Sequence, residues 1–132
     1  MKRIDSIATV DVESLYTNIP HDEGVEAIGK FLDERPKNTL PTSNFIIHLI
    51  TMILTMNNFK FLDKNFLQIK GTAMGTKMAP SYANLFMGLL EKNFLSTQKF
   101  QPLAWFRYID DIFLVWKNGM ENLQQFLEEL NE

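Results

Sequence analysis

Two runs of strand-forming residues, Ala104 to Ile109 and Ile112 to Lys117, are separated by Asp110 and Asp111 alone. β-branched and aromatic side chains dominate both runs, and so short a link joins strands only as an antiparallel hairpin. Tight hairpins normally place Asn-Gly or Asp-Gly at the centre, because those residues accept positive φ cheaply. Here the turn reads Asp-Asp. It gives up turn stability and sets two like charges side by side, an arrangement that a divalent cation relieves. Taken alone, Tyr108-Ile109-Asp110-Asp111 fits a solvated acidic turn better than a metal site.

Two further segments change that balance. Ile7-Ala8-Thr9-Val10-Asp11-Val12 reads as a strand that delivers Asp11 near its end, followed by Glu13-Ser14-Leu15-Tyr16. Between the acidic sites, Gln68 to Pro80 forms a glycine-bearing loop that feeds a helix. By itself Asp11 is as readily a strand-end cap as a metal ligand. Together with the hairpin it becomes a candidate ligand beside Asp110 and Asp111 for an oxygen-seeking cation.

An acidic strand end, a glycine loop into a helix and an acidic hairpin, in this order, resemble the palm of a reverse transcriptase. The wording is closest to that of Penelope-like retroelements: SLYTNIPH from Ser14 to His21, KGTAMGTKMAPSYANL from Lys70 to Leu85, and RYIDDIF from Arg107 to Phe113. Many reverse transcriptases carry Pro-Gln-Gly where this chain has Ala73-Met74-Gly75. The resemblance covers nearly the whole chain. It implies one reverse transcriptase domain over 1–132, a palm with fingers and thumb largely missing from a longer polyprotein.

The resemblance also implies an RNA-directed DNA polymerase that joins dNTPs to a primer 3′-hydroxyl on an RNA template. Two Mg2+ ions, with Mn2+ as an alternative, would be held by Asp11 and Asp110, by the carbonyl of Val12, and with supporting charge from Asp111. Backbone amides of Ser14, Leu15 and Tyr16 would hold the triphosphate, and the ring of Tyr16 would exclude a 2′-hydroxyl. A tyrosine packed under its own loop is the other reading of Tyr16. Met74 and Gly75 would face the nascent pair, and Gly71, Lys70, Lys77 and Tyr108 the template and primer. Lys70 and Lys77 also suit plain solvation. Arg107 either touches primer or pairs with a nearby acid, His21 belongs to the loop and helix cap, and Glu13 and Glu23 face solvent.

Composition bounds these expectations. At 132 residues the chain can bury about two-thirds of its unfolded surface, and its 45% hydrophobic content argues against disorder. Cysteine is absent and there are two histidines, which leaves no disulfide, no thiol nucleophile and no ordinary structural zinc site. The net charge of -3 is low for a nucleic-acid enzyme. It suggests either a fragment, a palm separated from its basic fingers and thumb, or a palm that no longer binds template well. Met1-Lys2-Arg3 leads into Ile4-Asp5-Ser6 and not into an apolar leader. Phe45 to Met56 is too short and too polar to span a bilayer. The expected setting is intracellular, and nuclear for an active eukaryotic retroelement.

The element pattern predicts an α+β fold, with a palm-like antiparallel sheet and helices packed on one face. Strands are expected at Ser6 to Val12 and in the acidic hairpin, and a short hairpin at Phe59 to Ile69 about Asp63-Lys64-Asn65. A loop through Pro20 precedes a helix from His21 to Asp33, with Asp22 and Glu23 in its first turn. A buried helix is expected at Thr42 to Met56 with Phe45, Leu49, Met52 and Met56 inward. Another from Pro80 to Thr97 carries Ala83, Phe86, Leu90 and Phe94 on its core face, and a last helix spans Met120 to Leu130. Two other functions remain open. One is a nucleotidyl cyclase, whose palm-like sheet carries similar acids but no counterpart to Lys70–Pro80. The other is an inactive retroelement remnant that serves as an interaction domain.

Overall fold

The computed structural model describes residues 4–132; the opening Met1-Lys2-Arg3, read above for a leader, lies outside the described residues. In chain order the elements are β1 (Ser6–Asp11), α1 (Leu15–Asn18), α2 (His21–Asp33), α3 (Ser43–Thr55), β2 (Asn58–Phe61), β3 (Lys64–Leu67), α4 (Ala79–Thr97), β4 (Ala104–Tyr108), β5 (Asp111–Trp116) and α5 (Met120–Leu130). They fall into two compact units. One comprises Met1–Glu13 with Leu90–Glu132, the other Ser14–Leu89.

The first unit is built on a three-stranded antiparallel sheet in the order β1-β5-β4. Strand β5 alternates strictly: Ile112, Leu114 and Trp116 are buried, while Asp111 and Phe113 are exposed. That period-two pattern gives the sheet one core face and one open face. On the core face, Leu114 and Trp116 pack with Leu123 and Phe126 of α5, joined by Ala8, Phe94, Leu95, Trp105 and Leu127. The Phe126 ring is the hub, with ring centres 4.9 Å from Trp116, 5.1 Å from Phe94 and 6.1 Å from Trp105. Gly119, at φ 82, accepts the Trp116 indole N–H on its carbonyl at 2.8 Å and donates its own N–H to Asp5. The strand-to-α5 corner is thereby fixed.

The second unit holds α1, α2, α3, the β2-β3 hairpin and the first part of α4. Helix α2 has the predicted limits. Its Gly24 and Ala27 are buried because α4 lays Tyr82 directly against Gly24.

Four expectations need correction. Helix α3 turns Phe45, Leu49, Met52 and Met56 to the surface, 42–65% exposed, and not inward. Its inner stripe is Ile47, Ile50 and Leu54, with Ile47 over Gly29 of α2. The helix is apolar on nearly every side, so spacing alone does not choose its inner face. On α4, Ala83, Phe86 and Phe94 pack inward but Leu90 is 44% exposed. The segment before Pro20 contains the short helix α1, which buries Leu15. The β2-β3 hairpin turns at Leu62-Asp63, both at positive φ as a two-residue turn of this kind requires, with Lys64 already in the strand.

The fold is thus the expected mixture of helices and antiparallel sheet. Among the described residues no helix is long and apolar enough to cross a membrane.

Candidate metal centre

Asp11, Asp110 and Asp111 converge at one end of the three-stranded sheet. Each offers a carboxylate oxygen, and the three lie within 4.8 Å of one another. Asp11 and Asp111 are exposed and Asp110 is half-buried. Strand register explains the convergence. Antiparallel pairing of β1 with β5 sets Asp11 directly opposite Asp111, and pairing of β4 with β5 sets Tyr108 on the other side of Asp111. The backbone N–H of Val12 donates to the carbonyl of Asp110 at 3.0 Å, which ties the end of β1 to the turn. Oxygen donors so close together, with access to water, suit a hard divalent cation.

The turn differs from the expected one. Asp111 opens β5, and the two unpaired residues are Ile109 and Asp110. Pairing on both sides draws Asp111 into the sheet, so the link moves back by one residue. The cost falls on Ile109, which takes φ 55. A β-branched residue adopts that region only where its surroundings enforce it.

One enforcing contact was only half legible in the sequence. Arg107 lies on β4 opposite buried Ile112, on the core side of the sheet. Its Nε donates to Glu91 Oε1 of α4 at 2.6 Å, and its Nη1 donates to the carbonyl of Ile109 at 2.9 Å. Pairing with an acid was one of the two options for Arg107. The partner, Glu91, carried no local signal, but the inward parity of Arg107 did signal that it needed one, because buried guanidinium groups are paired.

Tyr108, 77% exposed, flanks the acids on the open sheet face. The other candidates belong to the second unit. Ser14 takes a left-handed conformation, φ 50 and ψ 43, and its carbonyl accepts the amides of Thr17 and Asn18. Leu15 is buried and Tyr16 half-buried, and the carbonyl of Tyr16 accepts the Thr72 amide at 2.7 Å. Gly71 is buried against this corner at φ +72. A Cβ there would lie 2.5 Å from the backbone of Tyr16 and Thr17, so the chain's own packing demands glycine. The Gly71 carbonyl accepts from His21 Nε2 at 2.7 Å, giving His21 the loop role expected of it. Lys70, Lys77, Met74 and Gly75 are exposed, and a Cβ on Gly75 would meet only open space.

Two solved structures of apo telomerase from Candida tropicalis, one truncated from its C-terminal domain, superpose on 96% of the chain with a TM-score of 0.74. Sequence identities are 15% for the truncated form and 13% for the other, so the likeness is one of fold. The chain spans about a quarter of their length, 26% and 25%. No curated protein matches it. The family described as reverse transcriptase (RNA-dependent DNA polymerase) matches residues 1–132 throughout. With that match, and with three carboxylates gathered at the sheet end, the chain belongs to the reverse transcriptase family.

Proposed function

We propose that this chain is the palm of an RNA-directed DNA polymerase, of the Penelope-like kind that its motif wording suggests, and that it carries the metal-holding carboxylates for joining dNTPs to a primer 3′-hydroxyl. The observation that carries the reading is the convergence of Asp11, Asp110 and Asp111 within 4.8 Å in a chain of this family. Asp11 and Asp110 would hold two divalent ions, Mg2+ or Mn2+, with the carbonyl of Val12 as a further ligand and Asp111 adding charge. Bound there, such ions supply activation of the primer hydroxyl and neutralisation of the leaving pyrophosphate.

The remaining roles fall to the other motif residues. Ser14, Leu15 and Tyr16 hold the triphosphate through their amides, and the Tyr16 ring screens the sugar for a 2′-hydroxyl. Met74 and Gly75 face the nascent pair, a role supported by their exposure and by the open space over Gly75. Gly71 shapes the loop that meets the template, Lys70 and Lys77 reach phosphates, and Tyr108 supports the primer end. Fingers and thumb, which would grip the duplex, are contributed by polypeptide outside this chain.

The test is a Mn2+ titration of the 132-residue chain, read by electron paramagnetic resonance. Saturable binding that Asp110→Asn abolishes is the expected result. A wild-type chain that takes up no Mn2+, or a variant that binds as the wild type does, overturns the metal reading.

A further inference from the structure

We infer that Arg107, anchored by Glu91, is a positioning residue for the acidic turn, fixing the Ile109–Asp110 peptide and with it the place of the Asp110 carboxylate. The inference rests on the metal reading of Asp11, Asp110 and Asp111 given above.

Arg107 is a cation on the wrong side of a sheet. Arg107 shares the core face with Ile112, and its side chain is 11% exposed; that of Glu91 is 17% exposed. Removing a guanidinium and a carboxylate from water is costly unless they are paired and hydrogen-bonded. An apolar residue at 107 would pack on that face without the cost. The pair therefore points to a task that packing alone does not require.

The geometry identifies the task. A guanidinium is a rigid plane with donors in fixed directions. Arg107 uses one edge for Glu91 at 2.6 Å and Nη1 for the Ile109 carbonyl at 2.9 Å. It thus couples a helix to the turn through one stiff group. The carbonyl it holds belongs to the peptide unit from which the Cα of Asp110 hangs, and that unit is planar. Holding the oxygen orients the plane, and the plane orients Asp110.

Ile109 shows why a hold is needed. At φ 55 this β-branched residue is in a region that its side chain disfavours, and left alone the turn would relax. The other tethers lie on either side of it: the Tyr108–Asp111 pair closes the hairpin, and the Val12 amide holds the far carbonyl, that of Asp110. Arg107 is the contact on the strained residue itself. Lysine would keep the charge opposite Glu91 but is a point donor and does not reproduce the fork.

The experiment compares the wild-type chain with Arg107→Lys, Glu91→Asp and Phe126→Leu. The first two leave net charge unchanged, so any loss of metal affinity is not bulk electrostatics. Phe126→Leu loosens the same core away from the turn. Two quantities are read: Mn2+ affinity, and hydrogen exchange at the Val12 amide of the metal-free chain, which reports whether the Asp110 carbonyl stays in place. Arg107→Lys and Glu91→Asp should each weaken Mn2+ binding about tenfold, as loss of supporting contacts does at other metal sites. Both should also speed Val12 exchange more than that of Ala8, whose amide faces β5 within β1. Phe126→Leu should lower the melting temperature and leave both quantities as in the wild type.

Unchanged affinity with unchanged Val12 exchange in both turn variants overturns the inference. So does an equal loss in Phe126→Leu, which would make the ion pair a structural clasp and nothing more. A wild-type chain that binds no Mn2+ but whose Val12 amide opens on Arg107→Lys would defeat the metal reading and leave the positioning role standing.

Discussion

Gly24→Ala should destabilise the second unit, although alanine is ordinarily the better helix former. Gly24 is buried in α2, and a Cβ built on it would lie 1.7 Å from the Tyr82 hydroxyl oxygen, 2.4 Å from Cζ and 2.8 Å from Cε2. Tyr82 is 2% exposed and cannot swing into solvent. Overpacking a filled site costs about 1–3 kcal/mol, and an overlap this deep belongs at the upper end. The gain in helix propensity returns about 1 kcal/mol, leaving a net loss of about 2 kcal/mol. For a chain of this size that lowers the melting temperature by roughly 8 °C. Tyr82→Phe separates the terms, because the hydroxyl is buried with no hydrogen-bond partner among the described residues. Its removal alone should be neutral or slightly stabilising. Combined with Gly24→Ala it removes the clash with the hydroxyl but keeps the one at Cζ, so about half the loss should return. Urea denaturation of the four chains measures this cycle. A neutral Gly24→Ala, or a double variant no better than Gly24→Ala, would refute the packing argument.

Two further outcomes follow from single residues. The Tyr82 hydroxyl is pushed up from 10.0 to about 12, first by burial and then by the charge of Asp22. The folded state therefore holds this proton more tightly than the unfolded chain does. Its contribution is fully present below pH 10 and is lost as pH rises toward 12, by at most about 3 kcal/mol; Tyr82→Phe should flatten that part of the stability–pH curve, and an unchanged curve would exclude Tyr82 as the source. In a polymerase that contains this palm, Tyr16→Ala should raise ribonucleotide incorporation while deoxynucleotide use stays largely intact, and an unaltered ratio of the two specificity constants would remove Tyr16 from sugar selection.

The fold is most legible in the sequence where local chemistry and tertiary demand agree. The limits of α2 follow from Pro20 before it and Asp22 and Glu23 in its first turn, and the structure keeps them. The convergence of three acids was legible through the resemblance to a reverse transcriptase palm, which implies that the first strand pairs beside the acidic hairpin. The turn was misplaced by one residue because Asp-Asp looks more turn-like than Ile-Asp. The register with β1, which claims Asp111 for the sheet, is a long-range fact. Helix α3 failed for a different reason. Its apolar residues surround the axis, so several stripes satisfy helical spacing and only the seat on α2 selects Ile47, Ile50 and Leu54. Glu91 was missed because nothing near it in sequence marks it; its role exists only through an arginine that lies 16 residues later on another element.

The same charges that define the centre bear on what the chain does alone. It should bind Mn2+ and yet not extend a primer measurably. Lys and Arg number 13 against 16 Asp and Glu, and several of those cations are already engaged. Arg107 is turned inward to Glu91, Lys30 lies 3.3 Å from Glu26, and Lys60 lies 3.3 Å from Asp63. Divalent ions at the carboxylates would be spent largely on neutralising them, which leaves little positive potential for a triphosphate or for the phosphates of a duplex. Proximity matters as much as charge: nucleotidyl transfer is fast only when primer end, triphosphate and template are held in line. Lys70 and Lys77, the exposed lysines of the glycine loop, are too few to hold all three by themselves. The assay is extension of a DNA primer on an RNA template with Mg2+ or Mn2+, beside Asp110→Asn. Extension by the wild-type chain that the variant lacks would show that the palm gathers its substrates unaided. It would also overturn the charge argument, because the required cationic surface would then have to lie on a chain whose net charge is -3.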